Sequence, residues 1–256
     1  MNTIDIYPLR SFQDNYIWLI QMGSEIILVD PGEAEIVLEY LSTNQLTLKA
    51  ILITHHHSDH IGGVRQIIMH YPVPVYGPQH EAGAVVTHPV GAGSEIKLTA
   101  HNWTLSVLEL PGHTLGHIGY FDGIHLFSGD VIFGAGCGRI FEGTPTQMLN
   151  SLNQIAQLPG TTKIYCAHEY TLSNITFARH VDPENILLKN REDCVKSYRE
   201  QNRPTVPLLL NEELATNPFL RCRDQSIHKA VEHHYGIAIH HSLETFTLLR
   251  SWKNQY

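Results

Sequence analysis

The chain has 256 residues, 43% of them apolar, enough to bury one large core, alone or with a smaller companion module, so a disordered chain is not expected. Its formal charge of −8 gives no general attraction to nucleic acid or anionic lipid, and an anionic ligand has to be met by a local cluster of cations. Four cysteines without CxxC spacing, no secretory h-region in Met1–Ser11 and no apolar run of membrane length point to a soluble, reduced, cytoplasmic protein without disulfides.

Residues 1 to about 170 read as short strands interrupted by a few helices. β-branched and aromatic runs bounded by Gly, Pro or Asn place strands at Asp5–Phe12, Tyr16–Gln21, Glu25–Asp30, Ala50–Thr54, Val73–Tyr76, Thr104–Glu109, Ile118–Phe121, His125–Ser128 and Lys163–Ala167. Helices are expected at Glu33–Leu41, His60–Tyr71 and Pro145–Leu158, the last with Thr144 as N-cap and Pro145 in the first helical position. This mixture suggests sheets flanked by helices. From about Leu172 the pattern turns helical, at Ile186–Glu200, Glu212–Ala215, Gln225–His234 and Glu244–Lys253, with Pro204 and Pro207 in a loop.

Most of the 18 histidines, His101 among them, read as ordinary surface or half-buried side chains, and only spacing can single out the others. The apolar run Ala50–Thr54 leads into His55, His57, Asp59 and His60. In extended backbone His55 and His57 share a face and can point at one ion while His56 points away. Asp59 and His60, at the start of a helix, can reach a second ion. Imidazole and carboxylate suit zinc, iron or manganese better than calcium. Three further candidates stand at strand ends. His113 follows a Gly-rich turn, Asp130 carries two oxygens and can bridge two ions, and His168 closes the run from Tyr165. His117 reads as a structural hydrogen-bonding residue, because one imidazole from its turn completes the count.

The pattern His-x-His-x-Asp-His at 55–60, with His113, Asp130 and His168, resembles the metallo-β-lactamase superfamily. The resemblance implies an α+β fold, an αββα sandwich with two divalent metal ions, zinc first, at one edge of its sheets. It assigns His55, His57, His113 and Asp130 to one ion and Asp59, His60, His168 and Asp130 to the other. Asp30 corresponds to a supporting position in that superfamily, and equally reads as an Asx-Pro turn.

A closer resemblance, to glyoxalase II (the hydroxyacylglutathione hydrolases), runs through Phe12–Leu19, Thr54–His60, Phe133–Gly143, Cys166–Thr171 and Asn217–Arg221. It implies action on a small-molecule glutathione thioester; with the composition and helix pattern, the expected arrangement is a catalytic domain over 1–170 and a helical domain over 171–256 in a cytoplasmic monomer with no nucleic-acid or membrane partner. The implied reaction cleaves S-D-lactoylglutathione to D-lactate and glutathione, the second step of methylglyoxal detoxification. A metal-bridging hydroxide positioned by the catalytic carboxylates Asp59 and Asp130 suits that chemistry. A thiolate leaving group, with a thiol pKa near 8.5, departs without a strong general acid. Family positions that contact glutathione correspond to Arg139, Phe141, Tyr170, Arg250 and Lys253. Phe141 departs from the tyrosine of some members. Arg250 and Lys253, three apart, suit a carboxylate and equally suit a solvated helix face. Cys137, beside this patch, reads as structural. The alternatives are another hydrolase of the superfamily, a lactonase or β-lactamase, and an iron-dependent persulfide dioxygenase.

Overall fold

Apolar runs near the start of the chain form the first sheet of the computed structural model, which describes residues 4–81, 83–98 and 103–256. Met1–Thr3 of the N-terminal segment and His101 lie outside the described residues. The chain divides into two compact units, one of Met1–Glu109 with Thr114–Gly129 and the other of Leu110–His113 with Asp130–Tyr256.

In the first unit β1 (Asp5–Ser11), β2 (Asn15–Met22) and β3 (Glu25–Val29) form an antiparallel meander. Helix α1 (Glu35–Thr43) then returns the chain so that β4 (Thr47–Leu52) lies parallel to β3, because parallel neighbours need a crossover. Two short helices, α2 (Ser58–Ile61) and α3 (Val64–His70), carry it to β5 (Val75–Pro78), followed by β6 (His88–Val90), both parallel additions. Ile17 and Leu19 of β2 and Ile26 and Leu28 of β3, two apart and so on one face, pack against Val37 and Leu41 of α1 and Val64 and Ile67 of α3. Trp18, Ile20, Ile27 and Val29 are buried on the opposite face, so the sheet is covered on both sides. Each such side chain contributes about 1.5–3 kcal/mol on burial.

A second antiparallel set follows in the same unit: β7 (Glu95–Leu98), β8 (Trp103–Glu109), β9 (Ile118–Phe121) and β10 (His125–Gly129). The Tyr120 hydroxyl donates to the carbonyl of Ile53 at 2.6 Å and the Ile118 amide to that of Thr54 at 2.9 Å, which ties β9 to the end of β4. The turn between β9 and β10 is built on Asp122. Burial works against its charge, but donors from His125, Ile124 and Trp103 outweigh that and bring its pKa down to about 2.

The second unit holds a two-residue-per-strand hairpin, β11 (Ile132–Phe133) and β12 (Gly136–Cys137), then α4 (Pro145–Ala156), β13 (Lys163–Cys166), α5 (Thr171–Val181), α6 (Ile186–Glu200), β14 (Leu208–Leu209), α7 (Leu210–Thr216), α8 (Gln225–Tyr235) and α9 (Ser242–Gln255). Thr144 caps α4 through a capping box with Gln147, with Pro145 in the first turn as the sequence indicates. Ile175 and Ala178 of α5 pack with Leu188 and Val195 of α6 and with Ala135.

Two expected elements differ for physical reasons. The strand expected over Ala50–Thr54 ends at Leu52, because the Thr54 amide is given to the Asp30 carboxylate (2.8 Å) rather than to a ladder partner. The helix expected over His60–Tyr71 breaks into α2 and α3 at Gly62-Gly63. A Cβ on Gly63 would lie 2.6 Å from the Glu33 carbonyl carbon, so the backbone passes too close there for any side chain. Helix α5 was not among the expected elements.

Candidate functional site

In the first unit the loop after β4 is organised by one buried carboxylate. Asp30 takes a left-handed φ of 52° at the end of β3, which turns its side chain back under the loop. Its Oδ1 accepts from the Thr54 amide (2.8 Å), and its Oδ2 accepts from Thr54 Oγ1 (2.7 Å) and faces His60 Nδ1 (3.0 Å). With its own proton given to Asp30, the Thr54 hydroxyl can only accept from His55 Nδ1, 3.0 Å away. These contacts set the tautomers: His55 and His60 carry their protons on Nδ1 and present the Nε2 lone pair, the state in which an imidazole binds a metal. Asp30 therefore makes its turn and holds His60 at once.

The ligand-type atoms of this loop converge. His55 Nε2 is 3.1 Å from His57 Nδ1, and His60 Nε2 is 3.4 Å from Asp59 Oδ2. Two ligand atoms each about 2.0–2.1 Å from one ion lie about 3–3.4 Å apart, so these separations fit shared cations. Asp59 Oδ2 also accepts from Asn15 Nδ2 at 2.9 Å. His117 stacks on His55 with centroids 4.8 Å apart, and His56 points its backbone amide at Glu81 (3.2 Å). Glu81 also accepts from Thr114 Oγ1 and the Gly116 amide, both at 2.8 Å.

In the second unit His113, Asp130 and His168 meet. Asp130 Oδ2 lies 3.5 Å from His113 Nε2 and 3.3 Å from His168 Nε2, so a single buried oxygen faces two imidazoles. His113 Nδ1 lies 2.8 Å from the Arg139 carbonyl, which leaves its Nε2 as the lone-pair nitrogen. The turn that presents it needs Gly112, whose φ is 149° and whose missing Cβ would sit 2.7 Å from the Met148 backbone. His168 stacks on Tyr170, centroids 4.7 Å apart and 5° from parallel, with Phe133 edge-on to both. The donors are imidazole nitrogens and carboxylate oxygens throughout, a set that fits divalent metal ions.

Beside Asp130, within the same unit, opens a cavity of about 470 Å³ whose lining includes Arg139, Phe141, Tyr170, Cys137, Arg250 and Lys253. All five residues that the family resemblance relates to glutathione therefore face one space. Arg250 is not on a solvated helix face. It is 6% exposed, donates from Nη1 to the Cys137 carbonyl at 2.8 Å and lies over the Phe219 ring. Lys253 is half-buried over the Phe177 ring. Burial, and then the neighbouring Arg250 charge, pull its pKa down to about 8. Phe141 is 62% exposed and touches His113 edge-on, with its amide donating to the His113 carbonyl (3.2 Å). Burial pushes the Cys137 thiol pKa up despite Arg250, consistent with a structural cysteine.

Asn15, Thr54 and Glu81 received no role from the sequence. Asn15 and Thr54 stand inside the segments Phe12–Leu19 and Thr54–His60, but nothing in their local spacing singles them out from their neighbours. Glu81 carries no such signal, since its partners are 25 to 35 residues away.

Residues 11–168 match the model of the metallo-beta-lactamase superfamily, and residues 169–256 match that of the hydroxyacylglutathione hydrolase C-terminus. A hydroxyacylglutathione hydrolase of Nitrosomonas eutropha is 45% identical over 253 residues, which cover 99% of each chain. That of Vibrio vulnificus strain CMCP6 is 49% identical over 255 residues, 99% of this chain and 100% of the relative. Among solved structures, the B3 metallo-beta-lactamase BLEG-1 is 25% identical with a TM-score of 0.62, covering 85% of this chain and 99% of its own. TTHA1623, solved in a di-iron-bound form, is 28% identical with a TM-score of 0.53, covering 64% and 91%. The fold is thus α+β of the metallo-β-lactamase type with a helical C-terminal region. With both family models tiling residues 11–256 and relatives of this identity spanning its length, the chain belongs to the hydroxyacylglutathione hydrolase family of the metallo-β-lactamase superfamily.

Proposed function

We propose that this chain is a metal-dependent thioester hydrolase that cleaves 2-hydroxyacyl-glutathione thioesters, S-D-lactoylglutathione first, to the hydroxy acid and glutathione. The observation that carries the reading is the cavity beside Asp130. In a chain of net charge −8, three cations, Arg139, Arg250 and Lys253, line one space adjoining two candidate metal ligands. Glutathione carries two carboxylates, and a built cluster of cations is what an acidic chain needs to hold them.

In this reading His55, His57, His113 and Asp130 would hold one divalent ion and Asp59, His60, His168 and Asp130 the other, with zinc the metal proposed. When bound, such ions lower the pKa of water towards 7 and polarise a carbonyl, which supplies nucleophile and electrophile for acyl transfer. The protein's own groups do the rest. Asp59, anchored by Asn15, and Asp130 accept hydrogen bonds from the attacking water and fix its direction. Arg250 and Lys253 bind carboxylate, Tyr170 and Phe141 flank the substrate, and the thiolate leaves unprotonated. The protein acts as a cytoplasmic monomer, with a catalytic domain over 1–170 and a helical domain over 171–256. Among the described residues no helix is long and apolar enough to cross a membrane.

Steady-state hydrolysis of S-D-lactoylglutathione, with elemental analysis of the same preparation, tests the proposal. Negligible thioesterase activity alongside turnover of nitrocefin or an acyl-homoserine lactone would sink it. Two finer results are expected. Arg250→Ala should raise KM on the order of tenfold to a hundredfold with kcat little changed, since a charge-assisted hydrogen bond is worth about 1.5–3 kcal/mol. The Lys253 ammonium is charged below its pKa of about 8 and neutral above it, so KM for this anionic substrate should climb as pH rises through that value. Lys253→Arg, charged at every working pH, should flatten the profile, and an unchanged slope would remove Lys253 from the explanation.

A further inference from the structure

Of the segments that tie this chain to its family, Asn217–Arg221 is the one to which the chemistry above gives no task. Asn217 is fully buried, and an amide in that position needs partners at both ends. Its Oδ1 accepts from the Phe219 amide at 3.0 Å. Its Nδ2 points at the β11–β12 hairpin, with the Gly136 carbonyl at 2.9 Å, the Phe133 carbonyl at 3.2 Å and Glu213 Oε2 at 3.0 Å. Glu213, also fully buried, accepts the Ala135 amide at 2.9 Å and is paired through its other oxygen with Arg191.

This hairpin cannot hold itself. Two residues per strand make almost no ladder, and Ala135 at its tip is in the left-handed region at φ 53°. One residue beyond the clamped segment, the Cys137 carbonyl receives Arg250 Nη1 at 2.8 Å. A guanidinium offers its donors in a rigid fork, so the position of one accepting carbonyl decides where the remaining donors aim.

We propose that Asn217, seconded by Glu213, is a positioning residue for substrate binding: it clamps the hairpin whose Cys137 carbonyl aims the Arg250 guanidinium at the glutathione carboxylates. The inference rests on the glutathione reading of the cavity. It separates from a role in folding alone because a misaimed guanidinium harms only substrates that use it.

The test compares full-length wild type and Asn217→Ala on two thioesters, S-D-lactoylglutathione and S-D-lactoyl-N-acetylcysteamine, the second lacking both glutathione carboxylates. Asn217→Ala should raise KM for the glutathione thioester about tenfold, equivalent to about 1.4 kcal/mol, with kcat within about twofold. For the truncated thioester kcat/KM should stay within about twofold. In an Arg250→Ala background Asn217→Ala should add almost nothing to KM, because both changes remove the same interaction. Equal loss on both thioesters, no change on either, or an undiminished effect without Arg250 overturns the proposal. A wild type that handles both thioesters with the same kcat/KM overturns the glutathione reading instead. Should Asn217→Ala fail to fold, Asn217→Ser, whose hydroxyl keeps one donor, carries the same comparison, and equal loss on both thioesters again refutes the clamp.

Discussion

Asp130→Ala is expected to lower kcat on S-D-lactoylglutathione on the order of a thousandfold or more and to reduce bound metal to about one ion per chain or fewer. One oxygen, Oδ2, faces both His113 Nε2 at 3.5 Å and His168 Nε2 at 3.3 Å, imidazoles that the proposal assigns to different ions. On that assignment, removing it would take a shared ligand from both ions at once, where loss of a histidine would weaken one. The variant should still fold, because the His113 and His168 rings keep their other contacts, to the Arg139 carbonyl and the Tyr170 ring. Elemental analysis and single-substrate kinetics on one preparation check both parts. A variant that retained two ions and near-normal kcat would falsify the bridging assignment.

Gly138→Ala should also be damaging, less severely and by a different route. A Cβ on residue 138 would lie 1.9 Å from the Asp130 carbonyl oxygen and 3.4 Å from His113 Nδ1. A backbone oxygen cannot swing away as a side chain can, so the Asp130 backbone has to shift. Overpacking of this kind costs about 1–3 kcal/mol, and a displacement near 1 Å at a reacting group costs about a hundredfold in rate. The expected result is a fall in Tm of a few degrees together with a kcat loss near a hundredfold. Gly83→Ala, where a Cβ meets nothing within 4 Å, is the control and should move neither. Full activity in Gly138→Ala would show that the contact relaxes without disturbing Asp130.

What could be read from the sequence was whatever is local. His55, His57, Asp59 and His60 stand within six positions after an apolar run, so spacing makes them conspicuous, whereas His113, Asp130 and His168, each just beyond an expected strand, are weak singly and gain force from their order and from the family resemblance. The α4 start was legible for the same reason, since its cap, proline and Gln147 are consecutive or nearly so. Interactions over long sequence distances were not. The bond from Asn15 to Asp59 spans 44 residues and that from Arg250 to the Cys137 carbonyl spans 113. No periodicity encodes either. Helix α5 was missed because Thr171, Ile175 and Thr176 give it β-branched character that packing against α6 and Ala135 overrides. Whether Arg250 faced water or a cavity was equally undecidable, as a spacing of three residues fixes a shared face and not what lies opposite it.

The burial of Arg250 has an evolutionary consequence. Its guanidinium packs on Phe219 and holds the Cys137 carbonyl, so a substitution there is judged for stability before it is judged for recognition. Arg139 and Phe141, exposed at the rim of the same cavity, are under no such double scrutiny. Divergence in thioester preference within this family should therefore accumulate at the rim while the floor stays constant. The exposed Phe141 of this chain stands at the permissive end.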